Sequence, residues 1–198
     1  MTWKQKLFNV PNRLTLFRII LTMFFLFFIF QEDIYSKVMA FFIFSLASLT
    51  DLYDGYLARK LNQVTDFGKL IDPIADKILT FSCFLAFLEM GLINAWMVIV
   101  ILFREIVITA FRLYALSKKH VIQADIIGKH KLVSQVVAIY CILLSVIIKE
   151  IFVSNNISAP IVEKISDYAI FISMFIAVVL TLISGVSYIW RNRNLIEI

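Results

Sequence analysis

Asp51-Leu52-Tyr53-Asp54-Gly55-Tyr56-Leu57-Ala58-Arg59, followed after eight residues by Gly68 and then by Asp72-Pro73-Ile74-Ala75-Asp76, places two pairs of aspartates, with Asp66 between them, within 26 residues of an otherwise oily chain. Ionised carboxylates near a bilayer cost about 2.5 kcal/mol or more each at the centre of a spanning helix, so four together require a compensating cation. Spacings of three and four residues set Asp51 with Asp54, and Asp72 with Asp76, on single helix faces. Two facing helices carrying such pairs can clamp divalent metal.

The surrounding composition says what kind of chain this is. Hydrophobic residues make up 61% of the 198 and charged residues 17%, with a mean hydropathy of +0.89. An average soluble domain is about 45–50% apolar and about 25% charged. The chain therefore reads as an all-α integral membrane protein. Charge-free runs at 19–30, 38–50, 90–103, 132–148 and 168–190 extend to about 20 residues when flanking side chains snorkel to the interface. They predict six transmembrane helices near 14–31, 35–60, 68–89, 93–117, 127–149 and 163–190. The first run is kept as a spanning helix, because no small-residue cleavage site follows it. No Pro/Gly-rich linker divides the chain, so residues 12–198 are expected to form a single domain.

Lysine and arginine orient this bundle. With the N-terminus in the cytoplasm, the outward loops hold only Lys37, Lys149 and Lys164, and every other basic residue lies inward. The positive-inside rule thus places both termini on the cytoplasmic side of the cell membrane, in a multi-pass topology. The aspartate cluster then opens to the cytosol. The net charge of +5 is scattered over segment ends, with no soluble basic domain to carry a duplex, so nucleic acid is excluded as a partner. Cys83 and Cys141 lie inside apolar segments without metal-ligand spacing and read as inert core thiols.

Ahead of the first span, residues 1–11 suit a short amphipathic helix on the anionic inner leaflet, with Trp3 and Leu7 on one face and Lys4 and Lys6 elsewhere. Pro11 is expected to end it and Asn12 to cap the first spanning helix. Thr15 and Arg18 follow at three-residue steps on nearly the same side. This face reads either as a cap with a snorkelling arginine or as a phosphate-binding surface. Asp66 with Thr65 reads as an N-cap of the third helix rather than a fifth ligand. His120 and His130 read as exposed loop residues.

Four carboxylates on two helices can hold two divalent ions, a recurrent device for phosphoryl displacement. Mg2+ or Mn2+ suits the set, since the stretch holds no His or Cys. Gly55, Ala58 and Gly68 leave room for something flat to approach the backbone, and Arg59 offers a rigid fork for phosphate. Those are the needs of a nucleotide.

At every defining position the stretch matches the signature of the CDP-alcohol phosphatidyltransferase family, D-x2-D-G-x2-A-R-x8-G-x3-D-x3-D. Further segments resemble the bacterial members that form phosphatidylglycerophosphate: Pro11-Asn12-Arg13-Leu14-Thr15-Leu16-Phe17-Arg18, Asp72-Pro73-Ile74-Ala75-Asp76-Lys77, Arg104-Glu105 and Gly128-Lys129. The last two helices resemble the family in hydropathy alone. The resemblance implies the family's six-helix fold in a homodimeric membrane enzyme, which displaces CMP from CDP-diacylglycerol with the hydroxyl of a small alcohol. Carried over by position, Asp51, Asp54, Asp72 and Asp76 would hold metal, and Asp76 would also be the general base. Gly55, Ala58, Arg59 and Gly68, with Asn12, Thr15 and Arg18, would line the site for the CDP group.

The acceptor can be argued from charge. Glycerol 3-phosphate brings a dianion to a half-buried site, whereas serine or free inositol does not. Arg104 and Arg112, eight residues apart and expected on one face of the fourth helix, and Lys129 and Lys131 at the start of the fifth, could meet its phosphate, with Glu105 holding an arginine in place. The other reading makes Arg104 and Glu105 a structural pair and the lysines mere topology signals. Inositol phosphate is the nearest rival acceptor, and phosphatidylglycerol another. A divalent-cation transporter would need acids along a whole transmembrane path, but these crowd one side. An intramembrane aspartyl protease would want a G-x-G-D pattern, which is absent.

Overall fold

A computed structural model describes the backbone of residues 10–61, 66–117, 126–155, 157 and 160–193, and the side chains of 16–50, 77–115, 130–155, 157 and 160–193. Among these residues every regular element is an α-helix: α1 Val10–Ile29, α2 Ile34–Leu61, α3 Asp66–Glu89, α4 Ala95–Ser117, α5 Ile126–Ser154 and α6 Pro160–Arg191. The described stretches 130–154 and 160–191 are each long and apolar enough to cross a membrane.

The helix ends follow local chemistry. α1 begins at Val10, two residues before the expected cap at Asn12. Pro11 sits in its first turn, where the missing N–H has no helical acceptor to lose. The rest of the expected interfacial helix, with Trp3, Lys4, Lys6 and Leu7, lies outside the described residues. α6 likewise opens on a proline, Pro160. α5 runs past Lys149 and Glu150 to Ser154, because charge ends an apolar run without breaking a helix. Its last turn is closed by Asn155, whose Nδ2 donates to the Ile151 carbonyl at 2.7 Å.

Two compact units make up the chain, residues 1–86 with 146–158 and residues 87–145 with 159–198. In the first, α1 packs on α2. Phe25 meets Phe44 at 6.2 Å between ring centroids, beside fully buried Ile29, Ala40 and Ala47. The turn joining them is fixed from both sides. Asp33 accepts hydrogen bonds from the Ser36 amide and hydroxyl, each at 2.8 Å, and so caps α2. Those two bonds hold the Asp33 carboxyl below its ordinary pKa. Buried Lys37 sends its Nζ back to the Ile29 carbonyl at 2.6 Å and closes the end of α1.

The second unit starts where α3 ends. Gly91, at φ 71°, lets its own amide reach the Leu88 carbonyl (3.0 Å) while the Leu92 amide reaches Phe87 (2.9 Å), a Schellman close that only a left-handed residue permits. α4 then packs on α6. The faces of α6 are sorted against the habit of water-soluble helices. Ser166, Thr181, Ser184 and Gly185 are buried among Ile170, Met174 and Ala177, while Ile165, Phe171, Phe175, Ile183 and Val186 face outward. Small and polar residues inside and large apolar ones outside is the pattern that lipid selects. Cys83 is buried and free, and Cys141 is free with its Sγ 3.7 Å from the Ala169 carbonyl.

Candidate active site

The aspartates of the signature lie on two unbroken helical stretches. Asp51 and Asp54 belong to α2, Asp72 and Asp76 to α3, and α3 starts at Asp66 as its capping chemistry suggests. α3 continues through Pro73, which donates no N–H, so the helix forgoes one rung beside Asp72 and Asp76. The side chains of these four residues lie outside the described residues, as do those of Asn12, Thr15, Gly55, Ala58, Arg59, Gly68 and Lys129. An all-carboxylate donor set, offered in pairs from continuous helices, fits a hard divalent cation such as Mg2+ or Mn2+. Among the described side chains no group of three His, Cys, Asp or Glu could hold a metal. Arg18 is 3% exposed and therefore does not snorkel to the surface.

Arg104 and Glu105 of α4 and Lys131 of α5 form one cluster in the second unit. Glu105 is its hub. Arg104 Nη1 donates to Glu105 Oε1 at 3.2 Å, and Lys131 Nζ donates to the same oxygen. The three side chains are about nine-tenths buried, at 11%, 9% and 8% exposed. Among the described residues two cations face one anion there, a formal surplus of one positive charge. Charge of that kind inside an apolar segment has a function far more often than not. It is also suited to an anionic ligand, since an arginine fork and a lysine point charge are the usual phosphate donors.

Arg112 does not share this environment. Eight residues is 2.2 helical turns, which leaves about 80° of rotation between it and Arg104. Arg112 is accordingly exposed, though near enough for its charge to be felt at Arg104. His130 is exposed as expected, but it stands on α5 rather than in a loop.

α6 supplies partners that the sequence reading passed over. Ser184 Oγ accepts from Arg104 Nη2 at 2.8 Å. A Cβ on Gly185 would stand 3.0 Å from Arg104 Cγ, so the absence of a side chain there makes room for the arginine stem. One turn past Lys131, Gln135 Nε2 donates to Thr181 Oγ1 at 3.2 Å and ties α5 to α6. The signal was present in the sequence: Thr181, Ser184, Gly185 and Tyr188 form a three-four-seven stripe of small or polar residues in an apolar helix.

Helices throughout the described residues, two of them of membrane length, with paired aspartates on α2 and α3 and a buried cationic cluster on α4 and α5, define a membrane protein that holds charge within its helices. It belongs to the CDP-alcohol phosphatidyltransferase family, whose model matches residues 8–190. Among curated relatives it is 34% identical to the CDP-diacylglycerol–glycerol-3-phosphate 3-phosphatidyltransferase of Bacillus subtilis (strain 168), over 94% of this chain and 96% of that protein. The Escherichia coli K12 protein of the same name is 35% identical, with the same coverage. A probable phosphatidylglycerophosphate synthase of Mycobacterium tuberculosis H37Rv is 34% identical over 95% of this chain and 83% of that protein.

Proposed function

We propose that this protein transfers the phosphatidyl group of CDP-diacylglycerol to glycerol 3-phosphate, releasing CMP and forming phosphatidylglycerophosphate. The observation that carries the choice of a phosphorylated acceptor is the buried Arg104–Glu105–Lys131 cluster, whose two cations suit a phosphate dianion. The names of the relatives from B. subtilis and E. coli point to the same acceptor.

In this reading the acyl chains stay in the bilayer and the CDP group enters a polar site lined by Asn12, Thr15, Arg18, Gly55, Ala58, Arg59 and Gly68. Arg104 and Lys131, with Lys129 and the peripheral Arg112, draw in and orient the acceptor phosphate. Asp76 takes the proton of the acceptor hydroxyl as its oxygen bonds to the phosphatidyl phosphorus. The bond from that phosphorus to the bridging oxygen breaks, and CMP departs with the bond's electrons. Asp51, Asp54, Asp72 and Asp76 would hold Mg2+ or Mn2+, two per site, and the bound charge would offset that building on the diphosphate.

The six helices from Val10 onward then act as one six-span catalytic domain, with an interfacial segment ahead of them. Both termini and the site face the cytoplasm, and the enzyme works as a homodimer in the cell membrane. One assay tests the reaction: purified protein with labelled CDP-diacylglycerol and, separately, glycerol 3-phosphate, inositol phosphate, serine or phosphatidylglycerol. Glycerol 3-phosphate alone should give rapid CMP release and a new anionic lipid. Faster turnover with inositol phosphate would overturn the acceptor assignment.

A further inference from the structure

Two buried side-chain atoms in the second unit have no hydrogen-bond partner among the described residues, Arg104 Nε and the Tyr188 hydroxyl. They belong to one neighbourhood. Tyr188 lies one helical turn beyond Ser184 on the same face of α6, and Ser184 already holds the Arg104 fork. Tyr188 and Arg104 are close enough to interact electrostatically. The Tyr188 ring is 5% exposed and is fixed edge-on against Phe111 of α4, with centroids 6.0 Å apart at 82°. A tyrosine so confined cannot turn its hydroxyl to water at little cost.

Leaving a buried donor without an acceptor is unfavourable, and native proteins seldom do it unless a ligand fills the gap. Arg104 spends Nη1 on Glu105 and Nη2 on Ser184, which fixes the plane of the guanidinium and leaves Nε as its one nitrogen with no partner among the described residues. Gly185 fixes the stem, since any side chain there would press on Arg104 Cγ. We propose that Ser184 and Gly185 of α6 are positioning residues that set the plane of Arg104, and that the Tyr188 hydroxyl joins Arg104 Nε in binding one oxygen of the acceptor's phosphate. Tyr188 thereby becomes a determinant of specificity for phosphorylated over neutral alcohols. This rests on the acceptor role given to Arg104 above.

The test compares Arg104→Ala, Ser184→Ala, Ser184→Thr, Gly185→Ala and Tyr188→Phe with the wild type in detergent. KM is measured separately for glycerol 3-phosphate and for CDP-diacylglycerol, alongside the melting temperature. Ser184→Ala and Gly185→Ala should each raise the glycerol 3-phosphate KM several-fold and leave that for CDP-diacylglycerol within about twofold, and Ser184→Thr should restore it. Tyr188→Phe should raise the same KM by about tenfold, the scale of one hydrogen bond to a charged group. Its melting temperature should hold or rise, because an unsatisfied hydroxyl has been removed. A purely structural tyrosine would lower the melting temperature and leave the KM ratio alone. Should Arg104→Ala raise the acceptor KM while the three α6 substitutions do not, the α6 proposal is wrong and the acceptor site stands. No change with Arg104→Ala removes both.

Discussion

Replacing Glu105 by glutamine keeps the shape of the hub and deletes its charge. In the wild-type protein one carboxylate oxygen serves both Arg104 and Lys131 in surroundings that are about nine-tenths closed to solvent. Glutamine leaves Arg104 and Lys131 facing each other without the carboxylate that they share. Removing one partner from a buried ion pair costs about 3–5 kcal/mol. For a chain of this size each kcal/mol moves the melting temperature by about 2–4 °C, so a fall of about 6–20 °C is expected. Thermal unfolding followed by far-UV circular dichroism in mild detergent reads it. The double variant Glu105→Gln/Lys131→Met returns the formal charge of the cluster to its starting value, and it should recover at least half the loss. A coupling energy of more than about 1 kcal/mol in the full cycle would express the contact. If Glu105→Gln melts within about 3 °C of the wild type, or if the two substitutions simply add, the cluster is not the buried charge hub described here.

Three further outcomes can be checked in the same preparations. Asp76→Asn should still bind CDP-diacylglycerol yet lose about 10²–10⁴-fold in turnover, the usual contribution of a positioned base; normal turnover would remove that assignment. Gly91→Ala places a side chain at φ 71° with nothing within 4 Å of its Cβ, so the loss is purely conformational, about 1–2 kcal/mol in stability with KM values unchanged. Asp33 is an acid whose pKa is depressed on folding, so its stabilisation is complete above the ordinary value of 3.8 and is lost as pH falls through the lowered one. The stability gap between wild type and Asp33→Ala should therefore be open at pH 7 and narrow on acidification, as denaturant titrations at each pH would reveal.

Apolar runs located the helices well because lipid leaves a chain little choice: backbone polar groups must be satisfied within each segment. What hydropathy could not see were ends set by hydrogen bonds. α5 outlasts Lys149 and Glu150 because Asn155 closes its last turn, and α1 starts early because a proline is at home in a first turn. At the site, Arg104, Glu105 and Lys131 were legible as charges out of place in oil, and the structure brings them together. Only the shared face of Arg104 and Arg112 is corrected, because eight residues do not quite complete a whole number of turns. Ser184, Gly185 and Tyr188 escaped notice since a serine, a glycine and a tyrosine in an apolar helix carry no charge to betray them. Their part emerges only when α6 is laid against α4 and the arginine is seen to need a partner.

In the proposed reaction four aspartates, on α2 and α3, gather divalent cations around the diphosphate of a lipid-linked nucleotide. CMP release from CDP-diacylglycerol in the presence of glycerol 3-phosphate, measured on protein stripped with EDTA and then resupplied with Mg2+ or Mn2+, addresses it most directly. Release should stop on stripping and return on resupply, and in Asp51→Asn or Asp72→Asn it should stay low at any metal concentration. Undiminished release from the stripped protein would contradict the account.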